Sequence, residues 1–276
     1  MKKQHVDDHP ICALTIAGSD SGGGAGIQAD LKTFDAFDLH GLSAITALTA
    51  QNTRGVRAVQ SATPALIDAQ IDALFEDFDI GAVKIGMLGD ALTIRTVAKA
   101  LRRHQPGHVV LDPVMIATSG AALLDPEAVG TLVEHLFPLA TVITPNLPEA
   151  ARLLGRDAVD SALMEDAATE LRRLGAPTVL LKGGHAEGPD LLDVLDDGIA
   201  IHRFTHVRLD GEGHGTGCTL ASAVAAGLAR GDSLAEACRI ACDYVHAAFR
   251  DGYRPGRGNL VVLDHSSTRA RSVVNH

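Results

Sequence analysis

Residues 11–26 read ICALTIAGSDSGGGAG, an apolar run of strand length that leads directly into a glycine-rich loop. A helical pattern follows at 25–37, so the stretch predicts the strand, loop and helix that open an α/β fold with a parallel sheet. The loop also contains Gly24-x-Gly26-x-x-Ala29, the spacing of a dinucleotide-binding fingerprint. The glycines could therefore cover a pyrophosphate, another phosphate or a substrate that carries none.

The surrounding residues argue against a dinucleotide site. In dinucleotide-binding sheets the glycines follow the first strand at once, and an acidic residue at the end of the second strand holds the ribose. Here Ser19-Asp20-Ser21 separates the strand from the glycines, and the second predicted strand, 42–50, is followed by Gln51. The sequence also lacks the G-x-x-x-x-G-K-[ST] motif, which excludes a P-loop protein.

Apolar runs of strand length alternate with amphipathic stretches of helix length along the chain, which predicts a mostly parallel sheet with helices on both faces. The predicted strands are 11–17, 42–50, 81–85, 108–111, 141–143 and 178–181, with a hairpin over 191–195 and 199–204. The predicted helices are 25–37, 64–77, 90–103, 125–136, 147–154, 162–174, 216–230 and 233–250. We expect one domain over 1–276 with its core at 11–263, and flexible ends at 1–9 and 265–276.

Composition narrows the class of protein. With 276 residues, 46% of them hydrophobic, the chain can bury one large core. Its formal net charge of −10 argues against nucleic acid or an anionic membrane surface as a partner. No apolar window of membrane-spanning length occurs. The four cysteines form no C-x-x-C pair, so we expect reduced thiols in a cytoplasmic protein.

Polar or glycine-rich residues follow each of the six predicted strands. Ligands bind at the carboxyl ends of the strands in such sheets, so these residues are the candidates for a site. They are Gly18-Ser19-Asp20, Gln51-Asn52, Lys84 with Gly86-Met87, Asp112-Pro113, Thr144-Pro145-Asn146 and Lys182-Gly183-Gly184-His185. Any one of them could be an ordinary turn, but six together favour a ligand site.

A second glycine motif, Gly213-His214-Gly215-Thr216-Gly217-Cys218, precedes the predicted helix 216–230. Backbone N–H groups converge at such a helix start, and its dipole favours an anion such as a transferring phosphoryl group. Cys218 would lie in the first helical turn, where the pKa of a thiol is commonly lowered, and could act as a general base. The alternatives are a turn without ligand and a cysteine that simply packs.

Asp112, Asn146 and Glu149 offer oxygen atoms at neighbouring strand ends, which suits Mg²⁺ held partly through water. The alternative is a turn aspartate with Asn146 as a helix cap. The thirteen histidines show no zinc-binding spacing.

Eight blocks of sequence occur in order: 13–20 (ALTIAGSD), 24–30 (GAGIQAD), 50–53 (AQNT), 84–88 (KIGML), 112–115 (DPVM), 144–150 (TPNLPEA), 182–185 (KGGH) and 214–219 (HGTGCT). Together they resemble the hydroxymethylpyrimidine/phosphomethylpyrimidine kinases of thiamine biosynthesis, in the ribokinase-like superfamily. The resemblance implies a three-layer sandwich with helices on both faces of the sheet. It also implies Mg²⁺-dependent transfer of phosphate from ATP to 4-amino-5-hydroxymethyl-2-methylpyrimidine and then to its monophosphate, by a cytoplasmic homodimer.

The same resemblance assigns roles to individual residues. It places the pyrimidine against Gln51, Gly18, Asp30, Met87 and Val114. It makes Cys218 the base of the first phosphorylation, of less importance in the second, where the acceptor is already an anionic phosphate. The remaining assignments are Gly215, Thr216 and Gly217 as the anion hole, Asp112 and Glu149 for the metal, and Lys182, Asn146 and Thr144 for nucleotide and phosphate.

Three other functions stay open on the sequence: a pyridoxal or pyridoxine kinase, an ADP-dependent hydratase-type lyase, and a non-catalytic pyrimidine-binding regulator. Gln51 disfavours the lyase, and the motif that ends in Cys218 disfavours the regulator. Two positions depart from the family pattern. Glu212-Gly213 precede His214 where Asn-Thr is usual, and Cys242 follows Ala241 where a lysine is common.

Overall fold

In a computed structural model, which describes residues 9–117, 120–186 and 188–266, the chain forms one nine-stranded sheet flanked by helices. The strands are β1 (Cys12–Ser19), β2 (His40–Asn52), β3 (Gly55–Ser61), β4 (Ile80–Ile85), β5 (Val109–Leu111), β6 (Val142–Ile143), β7 (Val179–Leu181), β8 (Asp190–Asp196) and β9 (Ile201–Val207). Their order is β3-β2-β1-β4-β5-β6-β7-β8-β9. Six neighbouring strands, β2, β1, β4, β5, β6 and β7, are parallel, whereas β3, β8 and β9 extend the edges in antiparallel pairs.

The helices are α1 (Gly26–Ala36), α2 (Pro64–Asp77), α3 (Ala91–His104), α4 (Ala128–Leu136), α5 (Leu147–Leu153), α6 (Met164–Arg173), α7 (Thr216–Ala229) and α8 (Leu234–Arg250). Side chains alternate between the two faces of the sheet, as the pleat of a strand requires. In β4, for example, Val83 and Ile85 pack with helices α2 to α6, and Ala82 packs with α1, α7 and α8. The predicted three-layer sandwich is therefore confirmed.

The sequence pattern missed two features. Strand β3 is a mostly exposed edge strand, so it carries no apolar alternation that would reveal it. A small parallel pair, β10 (Gly213–His214) with β11 (Val261–Val262), ties the second glycine motif to the end of the core. Among the residues that the structure describes, no helix is long and apolar enough to cross a membrane.

The predicted flexible ends lie mostly outside the part of the chain that the structure describes. Residues 1–8 and 267–276 lie outside the described residues. His265, which the sequence assigns to the flexible tail, is instead buried and lies 3.0 Å from the hydroxyl of Tyr244 through its Nδ1. The packed core therefore extends slightly beyond the predicted boundary at 263.

Candidate active site

A cavity of about 640 Å³ opens at the carboxyl ends of the parallel strands. It brings together residues from all six predicted strand ends and from the second glycine motif. The predicted site residues on its wall are Gly18, Gln51, Met87, Asp112, Val114, Asn146, Glu149, Lys182, Gly215, Thr216, Gly217 and Cys218. The two glycine-rich segments, nearly two hundred residues apart in sequence, thus face the same space.

The two glycine segments also contact each other. Gly215 lies in the left-handed region, with φ +85, and a Cβ atom there would lie 1.9 Å from the carbonyl oxygen of Gly24. No side chain fits at that distance, so Gly215 is required both by its backbone conformation and by the close approach. The segment that the sequence suggests for the acceptor therefore packs directly against the one suggested for the phosphate.

The start of α7 has the geometry of an anion-binding helix terminus. Gly215 is the N-cap of this helix, and it has no side chain that could accept a hydrogen bond from the first turn. The N–H groups at the start of the helix therefore remain available to a ligand, and the helix dipole adds positive potential at the same place. This geometry suits the oxygen atoms of a phosphoryl group.

A lysine and two carboxylates lie beside this helix start. The Nζ of Lys182 is 2.7 Å from Oδ1 of Asp112 and 3.9 Å from Oε2 of Glu149. Burial works to lower the pKa of Lys182, but the two carboxylates outweigh it and raise that pKa above its ordinary value. Burial raises the pKa of Glu149 to about 7, since Lys182 offsets it only in part. Lys182 therefore stays charged, and Glu149 titrates close to neutrality.

Asn146 and Glu149 also form the capping box that starts α5. The Glu149 carboxylate accepts a hydrogen bond from the backbone N–H of Asn146 at 2.8 Å, and the Asn146 side chain accepts one from Glu149 at 2.9 Å. The capping role that the sequence leaves as an alternative is thus present, and both residues still line the cavity.

The carboxylates fit a magnesium ion that arrives with a nucleotide. Among the described residues no group of three or more histidine, cysteine, aspartate or glutamate side chains could hold a metal ion. Mg²⁺ commonly keeps several waters and is bound through one or two carboxylates together with phosphate oxygens. Asp112 and Glu149, both on the cavity wall, supply that number of carboxylates.

Two predicted contact residues lie beneath the cavity rather than on its wall. Asp30 is completely buried, and its carboxylate binds Lys84 at 2.8 Å and accepts hydrogen bonds from Thr15 and Ser222. Thr144 is also completely buried, and its hydroxyl donates to Asp112 at 3.2 Å. The roles predicted for Asp30 toward the pyrimidine and for Thr144 toward the nucleotide stay predictions, and the structure places both side chains below the cavity wall. Each residue supports a cavity residue from below.

The sequence predicts a lowered pKa for the Cys218 thiol, and this prediction is wrong. Burial raises the pKa of its thiol to about 11, with further contributions from the negative charges of Asp30 and Asp112. Lys84 acts in the opposite direction without compensating. The position in the first turn of α7 is as predicted. The helix dipole that usually favours a thiolate is outweighed by desolvation and by neighbouring carboxylates.

Gly18, Met87 and Gln51 shape the part of the cavity wall that the sequence suggests for the acceptor. A Cβ atom on Gly18 would lie 3.0 Å from the sulfur of Met87, so the glycine lets this side chain cover the strand end. The Gln51 side chain reaches the cavity from the end of β2, where its Oε1 lies 3.3 Å from the hydroxyl of Thr49. A flat ring could thus be covered by Met87 and meet the Gln51 amide at its edge.

A second cavity of about 220 Å³ adjoins the first and shares Lys182, Thr216 and Gly217 with it. Its wall includes Asp193 of β8 and Cys242 of α8, which the structure brings to 3.5 Å. Burial raises the pKa of Asp193 above its ordinary value. The cysteine that departs from the family pattern therefore faces a buried carboxyl group in this wall.

Sequence reasoning assigned no role to Asp20, Lys84 or His214, although all three line the main cavity. Each lies inside a block that carried the resemblance, so the signal was present in the sequence. Their partners are distant in the chain: Lys84 binds Asp30, and the His214 ring lies against Asp20.

The family model described as phosphomethylpyrimidine kinase matches residues 20–263, nearly the whole described chain. The chain belongs to the phosphomethylpyrimidine kinase family. This confirms the resemblance seen in the sequence, and the matched region ends where the predicted core ends.

Relatives with a named activity agree with this family assignment. A hydroxymethylpyrimidine/phosphomethylpyrimidine kinase of Rhizobium meliloti is 54% identical over 238 residues, which are 86% of this chain and 89% of that protein. A thiamine biosynthesis bifunctional protein of Geobacter sulfurreducens is 53% identical over 247 residues, 89% of this chain, and the match spans only 50% of that longer protein. A solved structure of a Bacillus subtilis pyridoxal kinase in complex with ADP superposes with a TM-score of 0.87 at 37% identity, covering 95% of this chain and 99% of the other.

Proposed function

We propose that this chain uses ATP to phosphorylate 4-amino-5-hydroxymethyl-2-methylpyrimidine and then its monophosphate, giving the diphosphate used for thiamine diphosphate biosynthesis. The observation that carries the proposal is one cavity that joins Gln51 to the anion site at the start of α7. The relatives of over 50% identity named for this kinase activity support it.

The acceptor ring binds between Met87 and Val114, with its polar edge on the amide of Gln51. Because Gly18 has no side chain, the ring can approach the backbone at the end of β1. This orientation directs the hydroxymethyl group toward Cys218 and the start of α7, which line the same cavity.

The phosphates of ATP bind at the start of α7, and the base extends into the second cavity. The N–H groups of the first turn bind the transferring phosphoryl group, and Lys182 neutralises its charge from the side. The two cavities share wall residues that include Lys182, Thr216 and Gly217, which supports a phosphate transfer between them. Asp112 and Glu149 would hold Mg²⁺, which would neutralise phosphate charge when bound.

Cys218 takes the proton of the hydroxymethyl group in the first step. A neutral alcohol must lose its proton during attack, so a positioned base accelerates this step. The monophosphate already carries an anionic oxygen and needs little help, so the second step depends less on Cys218.

A pyridoxal or pyridoxine kinase remains the second candidate, because a pyridoxal kinase shares the fold at a TM-score of 0.87. The identity is 37% with that enzyme and 54% with a pyrimidine kinase, which favours the pyrimidine. The lyase and the regulator are disfavoured because the acceptor side and the anion site are both intact.

Two further proposals concern the state of the protein in the cell. We propose a homodimer on the resemblance to the family, which light scattering of the purified protein would test. A cytoplasmic location is supported by the four cysteines, all of which are free in the structure.

Release of ADP, measured with a coupling enzyme, tests the function. The acceptors are hydroxymethylpyrimidine, its monophosphate and pyridoxal, each with ATP and Mg²⁺. We expect turnover of both pyrimidines and weaker turnover of pyridoxal. Gln51→Leu should raise the KM for the pyrimidines, and Gln60→Leu, a change on the exposed edge strand β3, should leave it unchanged. Absence of turnover with both pyrimidines would refute the proposal, and turnover of pyridoxal alone would establish the second candidate.

A further inference from the structure

Asp20 and His214 form a buried hydrogen bond between the two glycine segments. The His214 Nε2 lies 2.9 Å from the Asp20 Oδ2, and the residues are 5% and 3% exposed. They are separated by 194 positions in sequence. Neither side chain has a role in the function proposed above, although both line the cavity.

The Asp20 carboxylate organises the first glycine segment. It accepts backbone hydrogen bonds from Gly22 at 2.7 Å, from Gly24 at 3.0 Å and from Ala25 at 2.9 Å. Burial raises the pKa of this carboxyl group, but the hydrogen bonds from His214, Gly22 and Ala25 outweigh burial and lower it below the ordinary value. Asp20 is therefore a carboxylate, and each of its oxygens accepts at least one hydrogen bond.

The direction of the hydrogen bond between His214 and Asp20 follows from the chemistry of the carboxylate. A carboxylate only accepts hydrogen bonds, so Nε2 of His214 carries a proton and donates it to Asp20. The other ring nitrogen, Nδ1, is buried and has no hydrogen-bond partner among the described residues. The ring therefore joins the two segments through Nε2 alone.

The ring also fits the first segment by shape. A Cβ atom on Gly24 would lie 2.5 Å from Cδ2 of His214, so the ring packs directly on that backbone. The Nε2 of Gln51 lies 3.4 Å from Nε2 of His214, which places the same ring beside the residue proposed to bind the acceptor. Gly215, the next residue in the chain, starts the anion site.

We propose that Asp20 and His214 are positioning residues, a clamp that holds the acceptor segment 18–26 against the anion segment 213–217 during phosphoryl transfer. The proposal rests on the function proposed above. The clamp sets the distance from the acceptor oxygen to the transferred phosphorus, and His214 takes no proton from the substrate.

Loosening the clamp should uncouple ATP hydrolysis from phosphorylation of the pyrimidine acceptor. Small misplacements of reacting groups can cost roughly a hundredfold in rate. The nucleotide lies mainly against α7 and Lys182, so ATP binding should persist and part of the ATP should be hydrolysed by water. The ratio of phosphorylated pyrimidine to ADP then falls below one, which a loss of stability alone does not cause.

The test compares His214→Ala, His214→Gln and Asp20→Asn with the wild type for both acceptors. Glutamine can place its amide Nε2 near the position of the histidine Nε2, so it retains the donor to Asp20 but cannot act as an acid or base at neutral pH. His108→Ala is the control, since the Nδ1 of His108 is likewise buried without a hydrogen-bond partner in the described part of the chain, and its side chain lines neither cavity. Thermal melting of each variant shows whether it folds.

We expect His214→Ala and Asp20→Asn to lose roughly tenfold or more in kcat on both acceptors. The ratio of product to ADP should fall, and the KM for ATP should stay within about twofold. His214→Gln should recover most of the rate and the ratio, and His108→Ala should match the wild type. If His214→Ala does not fold, Asp20→Asn and His214→Gln decide the question by the same ratio.

Three results would overturn the clamp. The first is a His214→Ala variant that keeps wild-type kcat and ratio. The second is a folded His214→Gln variant as impaired as His214→Ala, which would mean that the imidazole itself reacts. The third is a lost rate with an unchanged ratio and a raised KM for ATP, which would assign His214 to phosphate binding. A wild type inactive on both pyrimidines refutes the proposed function instead and is recognised before any variant is made.

Discussion

The thiol of Cys218 gives the sharpest test of the proposed chemistry. Its pKa of about 11 means that roughly one molecule in ten thousand carries the thiolate at pH 7, since each pH unit changes the population tenfold. Keeping the thiolate at pH 7 therefore costs about 5 kcal/mol. Lys84, the cation whose charge lowers this pKa, is already paired with Asp30. Bound phosphates add negative charge and cannot lower it further.

Two kinetic consequences follow for the first phosphorylation. If the thiolate is the base, kcat should rise about tenfold per pH unit between pH 7 and pH 9, because the thiolate population does. Cys218→Ala should lower this kcat by roughly a hundredfold to ten-thousandfold, the usual contribution of a general base. The second phosphorylation should lose less than about tenfold and show no such rise with pH.

Initial rates of ADP release with each acceptor, at saturating ATP and five pH values, measure both effects. Cys218→Ser is the matched variant, because it retains the size and polarity of the side chain but not its acidity. Equal losses on the two steps in Cys218→Ala would refute the reasoning, since they would make Cys218 a packing residue. A flat pH profile for the first step with wild-type enzyme would show that the thiolate is not the base.

Two further predictions concern stability. Lys84→Met leaves the Asp30 carboxylate buried without its cation, which should cost about 3–5 kcal/mol and lower Tm by roughly 5–9 °C in a chain of 276 residues. Calorimetry should show that adding Asp30→Asn restores most of this loss, and a Tm within about 2 °C of wild type in the single variant would contradict it. Glu149 has a folded pKa of about 7, raised by burial, so the folded state binds its proton more tightly than the unfolded state. Urea denaturation should therefore show the free energy of unfolding falling by on the order of 3 kcal/mol as pH rises from about 4.5 to 7. Glu149→Gln should remove this fall. If the variant keeps the same dependence of stability on pH, Glu149 is not its source.

The parallel centre of the sheet was predictable from sequence because its strands are buried on both faces. Such strands are short continuous apolar runs between turns, as in β5 (Val109–Leu111) and β7 (Val179–Leu181). Strand β3 could not be found this way. It is an exposed edge strand whose stability comes from backbone pairing with β2, and that pairing leaves no hydrophobic pattern.

The sequence predicts which strand ends meet at the candidate site. It does not predict which of their side chains reach the cavity and which lie below its wall. Asp112 and Thr144 both follow buried strands, yet Asp112 reaches the cavity and Thr144 lies under it as a hydrogen-bond donor to Asp112. Asp30 likewise pairs with Lys84 inside the protein. The position of a residue in the sequence shows which end of a strand or helix it occupies and which face it shares. How deeply it is buried depends on side chains that come from elsewhere in the chain.

The fingerprint-like spacing in the first glycine segment shows why such a motif cannot by itself assign a ligand. A pyrophosphate in a dinucleotide site binds the N–H groups where the glycine loop enters the helix. Here the N–H groups of Gly24 and Ala25, directly before α1, already donate to the Asp20 carboxylate. The Asp20 carboxylate thus occupies the place that a bound anion would take, and Gly215 packs against the backbone of the loop at Gly24. Helix α7 begins at a glycine with no such side chain, so of the two glycine segments it is the second that can accept a phosphate from outside.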